Sequence, residues 1–454
     1  MPQRYLIVGL GAAGCAAAET IRSQDPAGEI VVVSDDAHGY YSRPGLAYYL
    51  AGEVPEHMLH PFSDHDFRRL HLRQVPARAT RLDPAAHRVE IDPGDSLSYD
   101  RLLLATGSLA TEPSVPGLDL EGVVKQDDME DARRILKLSH RGRVAVVVGG
   151  GITALEVVEG LNARHVHTHY FLRRDRYWSN VLDPAESKLV EHRLRAEGVE
   201  IHYNTDLAQI RGAGGHVVGV TTSDGRAIPC NLVAVAIGVR PRMELAVNAG
   251  LRSTASAVET QRGILVNQTL QSSAPDVFAA GDVAQALDPS SGKRLLNTLW
   301  SVAVAQGRVA GLNMTGQAHV YVPGVPLNVT RLAGLTTTII GTVGRGRDED
   351  VPGLARGDSE GWRQLADSAA GMGPVMVQTD TAENHLRVVL GENTLLGALV
   401  MGDQTVSRPL YHLISQRADV TPIRNRLLEP AARLEELLTN FWIDWRRQHA
   451  AQES

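Results

Sequence analysis

Residues Tyr5-Leu-Ile-Val-Gly-Leu-Gly-Ala-Ala-Gly14 decide how this chain folds. They read as a short apolar strand that runs into a glycine turn and then into a helix from Cys15 to about Arg22. Gly9 makes the tight turn, Gly11 lets a pyrophosphate approach bare backbone, and Gly14 lets the helix pack on the strand. Ala12 and Ala13, within the turn, count among the cofactor-binding residues, and the unpaired N–H groups and positive dipole end of the helix face the phosphates. A second apolar strand, Ile30 to Val33, ends in Ser34-Asp35-Asp36. A carboxylate placed there accepts the hydrogen bonds of a ribose diol. Asp35 is the favoured residue and Asp36 the neighbour.

The totals narrow the class. The 454 residues, 43% hydrophobic and 21% charged, suit a globular chain of about two to four domains. A net charge of −7 and the lack of a long basic run give no footprint for nucleic acid. The two cysteines, Cys15 and Cys230, rule out a disulfide framework and suit a reducing compartment, so a cytoplasmic location is expected. No signal peptide and no apolar run long enough for a membrane span is read. His57, His60, His65 and His71 read as a solvated helix and loop rather than as metal ligands, since no cysteine accompanies them. His165, His167 and His169 alternate along one strand face and read as packing and surface. No metal site is assigned.

The chain then repeats itself. Leu102-Leu-Leu-Ala-Thr-Gly107 is a buried strand ending in a small-residue turn at Ala105, Thr106 and Gly107, and Pro113, Pro116 and Gly117 mark a crossing. Arg143 to Glu156 is a second strand–turn–helix, with Gly149 and Gly151 in the turn. Ile152 and Thr153 follow, and Ala154 takes the third glycine position. Another apolar strand, Leu232 to Ile237, ends at Gly238, as the strand before it ends at Gly107. Such a repeat predicts two Rossmann-like dinucleotide-binding domains, the second inserted in the first. Ala274 to Asp282 is a strand that delivers Gly281 and Asp282 to a turn, and Leu299 to Asn313 reads as a helix with one small-residue face. Beyond Asn328, strands at Thr336–Gly341, Arg387–Leu390 and Leu395–Met401 predict a small α+β domain. The expected boundaries are 1–118 with 239–328, 119–238, 329–425, and a helical tail over 426–454.

These pieces, in this order, resemble the pyridine nucleotide–disulfide oxidoreductase superfamily. The match rests on Gly9–Gly14, Leu102–Gly107, Val146–Glu156 and Ala274–Asp282, and covers nearly the whole chain. Its nearest branch holds coenzyme A-disulfide reductases, NADH oxidases, and the rubredoxin and nitrite reductase flavoproteins. The resemblance implies FAD on the first turn and NADP or NAD on the second, with Glu156 among the nucleotide-binding residues. It implies that Asp282 holds the ribityl chain and that the helix after Trp300 aims its N-terminus at the flavin. It also implies a homodimer built through the third domain.

One departure decides the chemistry. Coenzyme A-disulfide reductases carry C-G-L-P-Y-Y-I-x-G beside the flavin, and this chain has Pro44-Gly-Leu-Ala-Tyr-Tyr-Leu-Ala-Gly52. Proline offers no thiol. Arg43, Pro44, Tyr48 and Trp300 are therefore flavin-side candidates, with no catalytic residue assigned. The expected reaction is hydride transfer from NAD(P)H to flavin, then electron transfer to an iron–sulfur or rubredoxin-like protein or to a small molecule. A peroxide-forming oxidase, a quinone reductase, an apoptosis-inducing-factor-like flavoprotein and an electron-transfer subunit are the rivals. The donor is open. By alignment Leu172 takes the place of the ribose carboxylate, and Arg173 and Arg174 would suit a 2′-phosphate. Asp175, which stands as far beyond Gly149 as Asp35 beyond Gly9, would suit NADH. A third reading has the arginines merely solvating a strand end.

The excursion Arg345–Met372 reads either as a partner-docking loop or as a disordered insertion. The tail, expected to start near Pro430, carries an apolar stripe through Phe441, Trp442 and Trp445. It packs on its own body or a dimer mate, docks an electron-transfer partner, or lies on a membrane surface. Arg433, Arg446 and Arg447 are offset by Glu435, Glu436 and Asp444, which argues against the membrane.

Overall fold

A computed structural model describes residues 2–252, 263–288, 292–344, 356–362, 375–380, 384–429 and 432–450. Two five-stranded sheets carry the nucleotide fingerprints. In the first the order is Val277–Ala279, Arg101–Leu104, Arg4–Val8, Glu29–Ser34, Leu72–Pro76, every pair parallel. In the second it is Glu200–His202, His167–Phe171, Val144–Val148, Leu232–Val235, Val123–Lys125, again parallel throughout. Near-continuous Val, Ile and Leu runs suit strands covered on both faces, and residues such as Ile7, Val32, Leu103, Val147 and Val233 are fully buried. All five strands of the second sheet lie in sequence between Leu104 and Val277 of the first. The passage out and the passage back, Ser108–Ala110 and Val239–Pro241, pair antiparallel. The expected insertion of one Rossmann-like fold in another is therefore present, as two α/β layers.

Small residues set the closest helix contact. The helix Trp300–Met314 crosses the helix Ala12–Gln24 so tightly that a Cβ on Gly307 would sit 2.2 Å from the Ala13 carbonyl oxygen. One on Gly311 would sit 2.9 Å from the Ala17 carbonyl oxygen. The expected small face of this helix thus brings its N-terminus, with Trp300, toward the first glycine turn. The stretch His57–Leu72 is a helix and loop, as expected. It holds a 3₁₀ turn, Glu56–Leu59, and a helix, Asp64–Leu70, started by a capping box between Ser63 and Asp66.

The chain divides into two compact units, one of residues 1–175, 195–323 and 350–358, the other of 176–194, 324–349 and 359–454. The second unit holds an antiparallel sheet in the order Leu327–Leu332, Leu335–Gly341, Leu395–Met401, His385–Leu390, Val375–Asp380. Helices Ser407–Ser415, Thr421–Leu427 and Leu434–Ala450 complete the α+β arrangement. The tail helix turns Leu434, Leu437 and Leu438 into the core of this unit, with Phe441, Trp442 and Trp445 packed beside them. Of the three readings of the tail, packing on its own body is the one observed; Pro430 and Ala431 lie outside the described residues. A buried carboxylate ties the unit together. Glu186 accepts from Arg387 Nε at 2.8 Å and pairs with His385 Nε2 at 3.0 Å, while the remaining Arg387 donors reach the carbonyls of Val343 and Val181.

Gly307→Ala forces a methyl group into a backbone carbonyl. Despite the gain in helix propensity, it is expected to lower unfolding stability by about 2–3 kcal/mol, read by urea denaturation of the holoprotein.

Candidate active site

The first glycine turn sits where three parallel strands end side by side. Val8 pairs with Leu104 and with Val33, and Leu104 pairs with Ala279. Ala105, Gly9 and Ala280 therefore leave the sheet together. Gly9 has φ +105°, and a Cβ there would lie 2.2 Å from the Ala105 carbonyl oxygen. Gly14 is equally constrained, its Cβ position lying 2.0 Å from the Gly9 carbonyl oxygen. At Gly11, by contrast, an added Cβ would meet nothing within 4 Å. This is a bare backbone cradle of the kind a pyrophosphate needs, and the residues present fit the dinucleotide implied for them. Asp35 is exposed beyond the strand end. Asp36 is engaged, accepting from the His38 N–H at 3.0 Å and pairing with Arg43 at 3.6 Å. On the other flank Asp282 accepts from Ser108 Oγ at 2.7 Å, and Gly281 lies against Ala13.

Arg43 opens a chain of charges that sequence reasoning missed. Its Nη1 donates to the carbonyl of Asp127. Arg356 donates to the same carbonyl, at 2.7 Å, and to the Asp127 carboxylate, while Arg242 reaches the other carboxylate oxygen at 3.2 Å. Asp127 is 2% exposed. Burial pushes its pKa up, but Arg356, Arg43 and Arg242 together hold it below the ordinary value. Beyond Arg356 lies Glu156, on the helix Ile152–Asn162. Burial, reinforced by Glu159 and only partly opposed by Arg356, pushes its carboxyl up to about 7. The line Asp36–Arg43–Asp127–Arg356–Glu156 thus runs from the ribose corner of the first fingerprint to the helix of the second. The Asp127-Asp128 pair and the Arg240-Pro-Arg242 stretch were visible in the sequence, but no local pattern joins them. Arg356 belongs to the Arg345–Met372 excursion, the rest of which, apart from 357–362, lies outside the described residues.

The second turn repeats the first. Gly149 has φ +146°, with its Cβ position 2.1 Å from the Ala236 carbonyl oxygen and 3.0 Å from Ala154 Cβ. Gly151 caps the helix, Ile152 and Thr153 start it, and Gly238 turns the neighbouring strand with φ +111°. At Gly150 an added Cβ would meet nothing within 4 Å. At the end of the second strand Leu172 is buried, Arg173 is exposed with its Nε 2.9 Å from Asp206 Oδ1, and Asp175 is exposed. Further along, a Cβ on Gly160 would sit 2.9 Å from Leu50 Cβ. The short helix Leu46–Leu50, which follows Arg43 and Pro44, therefore packs on the second-fingerprint helix. Pro44 and Tyr48 are exposed on that segment, and Trp300 is 51% exposed at its helix start.

Both cysteines are buried, and burial pushes each thiol up to about 12. Neither is a reactive thiolate near neutral pH.

Residues 3–307 match the family model of the pyridine nucleotide-disulphide oxidoreductases. The chain belongs to that family. It is a flavin-dependent oxidoreductase that works with FAD and a pyridine nucleotide. It is 34% identical over 361 residues to the ferredoxin–NAD(+) reductase component of the biphenyl dioxygenase system of Paraburkholderia xenovorans, covering 78% of this chain and 84% of that protein. It is 29% identical over 445 residues to the epsilon subunit of the NADH-dependent phenylglyoxylate dehydrogenase of Aromatoleum evansii, covering 97% and 98%. Among solved structures, the covalent putidaredoxin reductase–putidaredoxin complex matches in fold with a TM-score of 0.82 at 22% identity, over 96% of this chain and 98% of that one. Among the described residues no helix is long and apolar enough to cross a membrane.

The raised Glu156 carboxyl makes stability depend on pH. The folded state holds its proton up to about 7, whereas the unfolded chain releases it near the ordinary carboxylate value. Stability from this group is therefore present at low pH and lost as pH rises toward and through 7. Glu156→Gln should leave the protein more stable than the wild type at pH 8 by on the order of 1–3 kcal/mol. The gap should close toward pH 5, read by urea denaturation at the two pH values. An equal difference at both would mean a solvated carboxylate.

Proposed function

We propose that this oxidoreductase passes electrons from NAD(P)H to an iron–sulfur or rubredoxin-like protein, directly and with no cysteine relay. The observation that carries the reading is the flavin-side segment itself. By the resemblance to coenzyme A-disulfide reductases, Pro44 stands where they place their thiol, and both cysteines of the chain are buried elsewhere with raised pKa values. FAD, when bound, supplies a ring that takes two electrons from a nicotinamide and can release them singly. The chain's own residues bind and orient. Gly9 to Gly14 cradle the pyrophosphate, Asp35 takes the adenosine ribose, and Ala105 to Gly107, Gly281 and Asp282 line the flavin chain. Gly149 to Ala154 cradle the second nucleotide, and Gly238 gives it room. Arg43 holds the flavin-side segment to Asp127, and Glu156 holds a proton beside the second cradle. The helix behind Trp300 has no side-chain cap at Leu299, so its N-terminus keeps a positive end for the flavin.

The ferredoxin reductase component named above supports a protein acceptor. The epsilon subunit supports a second reading, because that similarity spans both units of the chain. In it the protein is the nucleotide-facing subunit of a larger enzyme, and its acceptor is a resident partner rather than a diffusing one. We also propose the domain boundaries 1–118 with 239–328, 119–238 and 329–425, a homodimer through the last of these, and a cytoplasmic setting.

An anaerobic titration tests the function. NADPH or NADH should bleach the flavin of the holoprotein without a thiolate charge-transfer band. Reoxidation by a ferredoxin or rubredoxin should then outrun reoxidation by air by about tenfold or more. Absence of bleaching, or faster reoxidation by air with peroxide release, overturns it. Co-purification with a stable partner separates the second reading from the first.

The turn after the second strand favours a 2′-phosphate, since Leu172 removes the carboxylate and Arg173 and Arg174 follow it. Replacing both arginines by alanine should lower kcat/KM for NADPH by about 10- to 100-fold. The value for NADH should stay within about threefold. Equal losses for both donors would leave the arginines no part in the choice.

A further inference from the structure

The edge of the second sheet carries a cluster that the oxidoreductase site does not use. His167 and His169 project from one face of the strand His167–Phe171. His165 does not join them, because it lies before the strand in a turn with φ +57°. The parallel edge strand Glu200–His202 sets Glu200 directly beside His169. The Glu200 carboxylate spans the two imidazoles, with His167 Nε2 at 3.0 Å from one oxygen and His169 Nδ1 at 3.2 Å from the other. His169 Nδ1 also lies 3.1 Å from His202 Nε2.

We propose that His167, His169 and Glu200 form a binding site for a divalent transition-metal ion of the zinc or copper class, with His202 at its margin. Ligand atoms of the three lie within 4.8 Å of one another. A tetrahedral ion with bonds of about 2.0–2.1 Å needs ligand atoms about 3.3 Å apart, and the contacts of 3.0–3.2 Å come close to that before any ion pulls them in. The ligand types are two imidazoles and a carboxylate, an N,O set that suits zinc and copper better than magnesium or calcium. Proton accounting points the same way. His169 Nδ1 carries at most one proton, yet it faces both a carboxylate oxygen and an imidazole nitrogen. An ion has a way in, since the His167 and Glu200 side chains are both about half exposed to solvent. Once bound, it clasps the edge strand to its neighbour.

The test uses the untagged, full-length holoprotein, stripped with chelator. Titration calorimetry with Zn2+ alone should show one site. His167→Ala, an exposed position that the fold does not need, should weaken it by about tenfold or more, with the flavin spectrum and steady-state turnover unchanged. Glu200→Gln should weaken it similarly. One equivalent of Cu2+ should give an electron paramagnetic resonance signal split by two imidazole nitrogens in the wild type and by one in His167→Ala. Identical isotherms and identical copper spectra in wild type and both variants would overturn the site.

Discussion

The carboxylate of Asp127 is buried, with three guanidinium groups around the residue. A buried charge of that kind is tolerable only when its partners are in place. Arg43 comes from the flavin-side segment, Arg242 from the passage returning to the first sheet, and Arg356 from a loop near the end of the unit. Each is distant in sequence from the others. The hub therefore holds together parts of the site that no local turn or helix could align, and it keeps Arg356 within electrostatic reach of Glu156. The two glycine cradles are set mainly by backbone contact. Side chains gathered at a single buried acid join the segments around them.

The parts of the molecule that were legible in the sequence are those governed by local rules. Glycine turns at the ends of apolar strands announce themselves, because the spacing of Gly9, Gly11 and Gly14 follows from what the backbone must do within six residues. The repeat at Gly149 was readable for the same reason, and so was its insertion, since the second fingerprint lies in sequence between Leu102–Gly107 and Ala274–Asp282. The helical stripe of the tail was also visible, although not the surface it would cover; that required the core around Leu410 and Leu438. Asp127, Arg242 and Arg356 were not legible. Their meaning lies in separations of more than a hundred residues, and an isolated Asp-Asp or Arg-Pro-Arg looks like ordinary surface. His165 was misplaced because alternation in sequence cannot tell where a strand starts, and here the turn takes that residue off the shared face.

Glu186 and Asp127 make an instructive pair. Both are carboxylates with almost no exposure, and both are met by arginine. Glu186 is enclosed by a closed set of donors whose remaining bonds go to carbonyls, which suits a structural tie within one unit. Asp127 belongs to an open series that continues through Arg356 to an acid whose proton is labile near neutral pH. The first arrangement fixes a shape, and the second leaves a charge that can respond to what binds nearby.

The strands Ser108–Ala110 and Val239–Pro241 lie hydrogen-bonded side by side, so the chain departs for the second sheet and comes home at the same spot. Neighbouring strands are only about 5 Å apart. Everything from Thr111 to Gly238 is in effect a large closed loop whose mouth is already stitched. Holding such a loop shut asks little more of the host than a short hairpin would, because closure entropy grows only slowly with length. Lineages could thus lengthen, trim or exchange the nucleotide-reading module and leave the flavin cradle untouched, which is a route by which one scaffold comes to accept different electron donors.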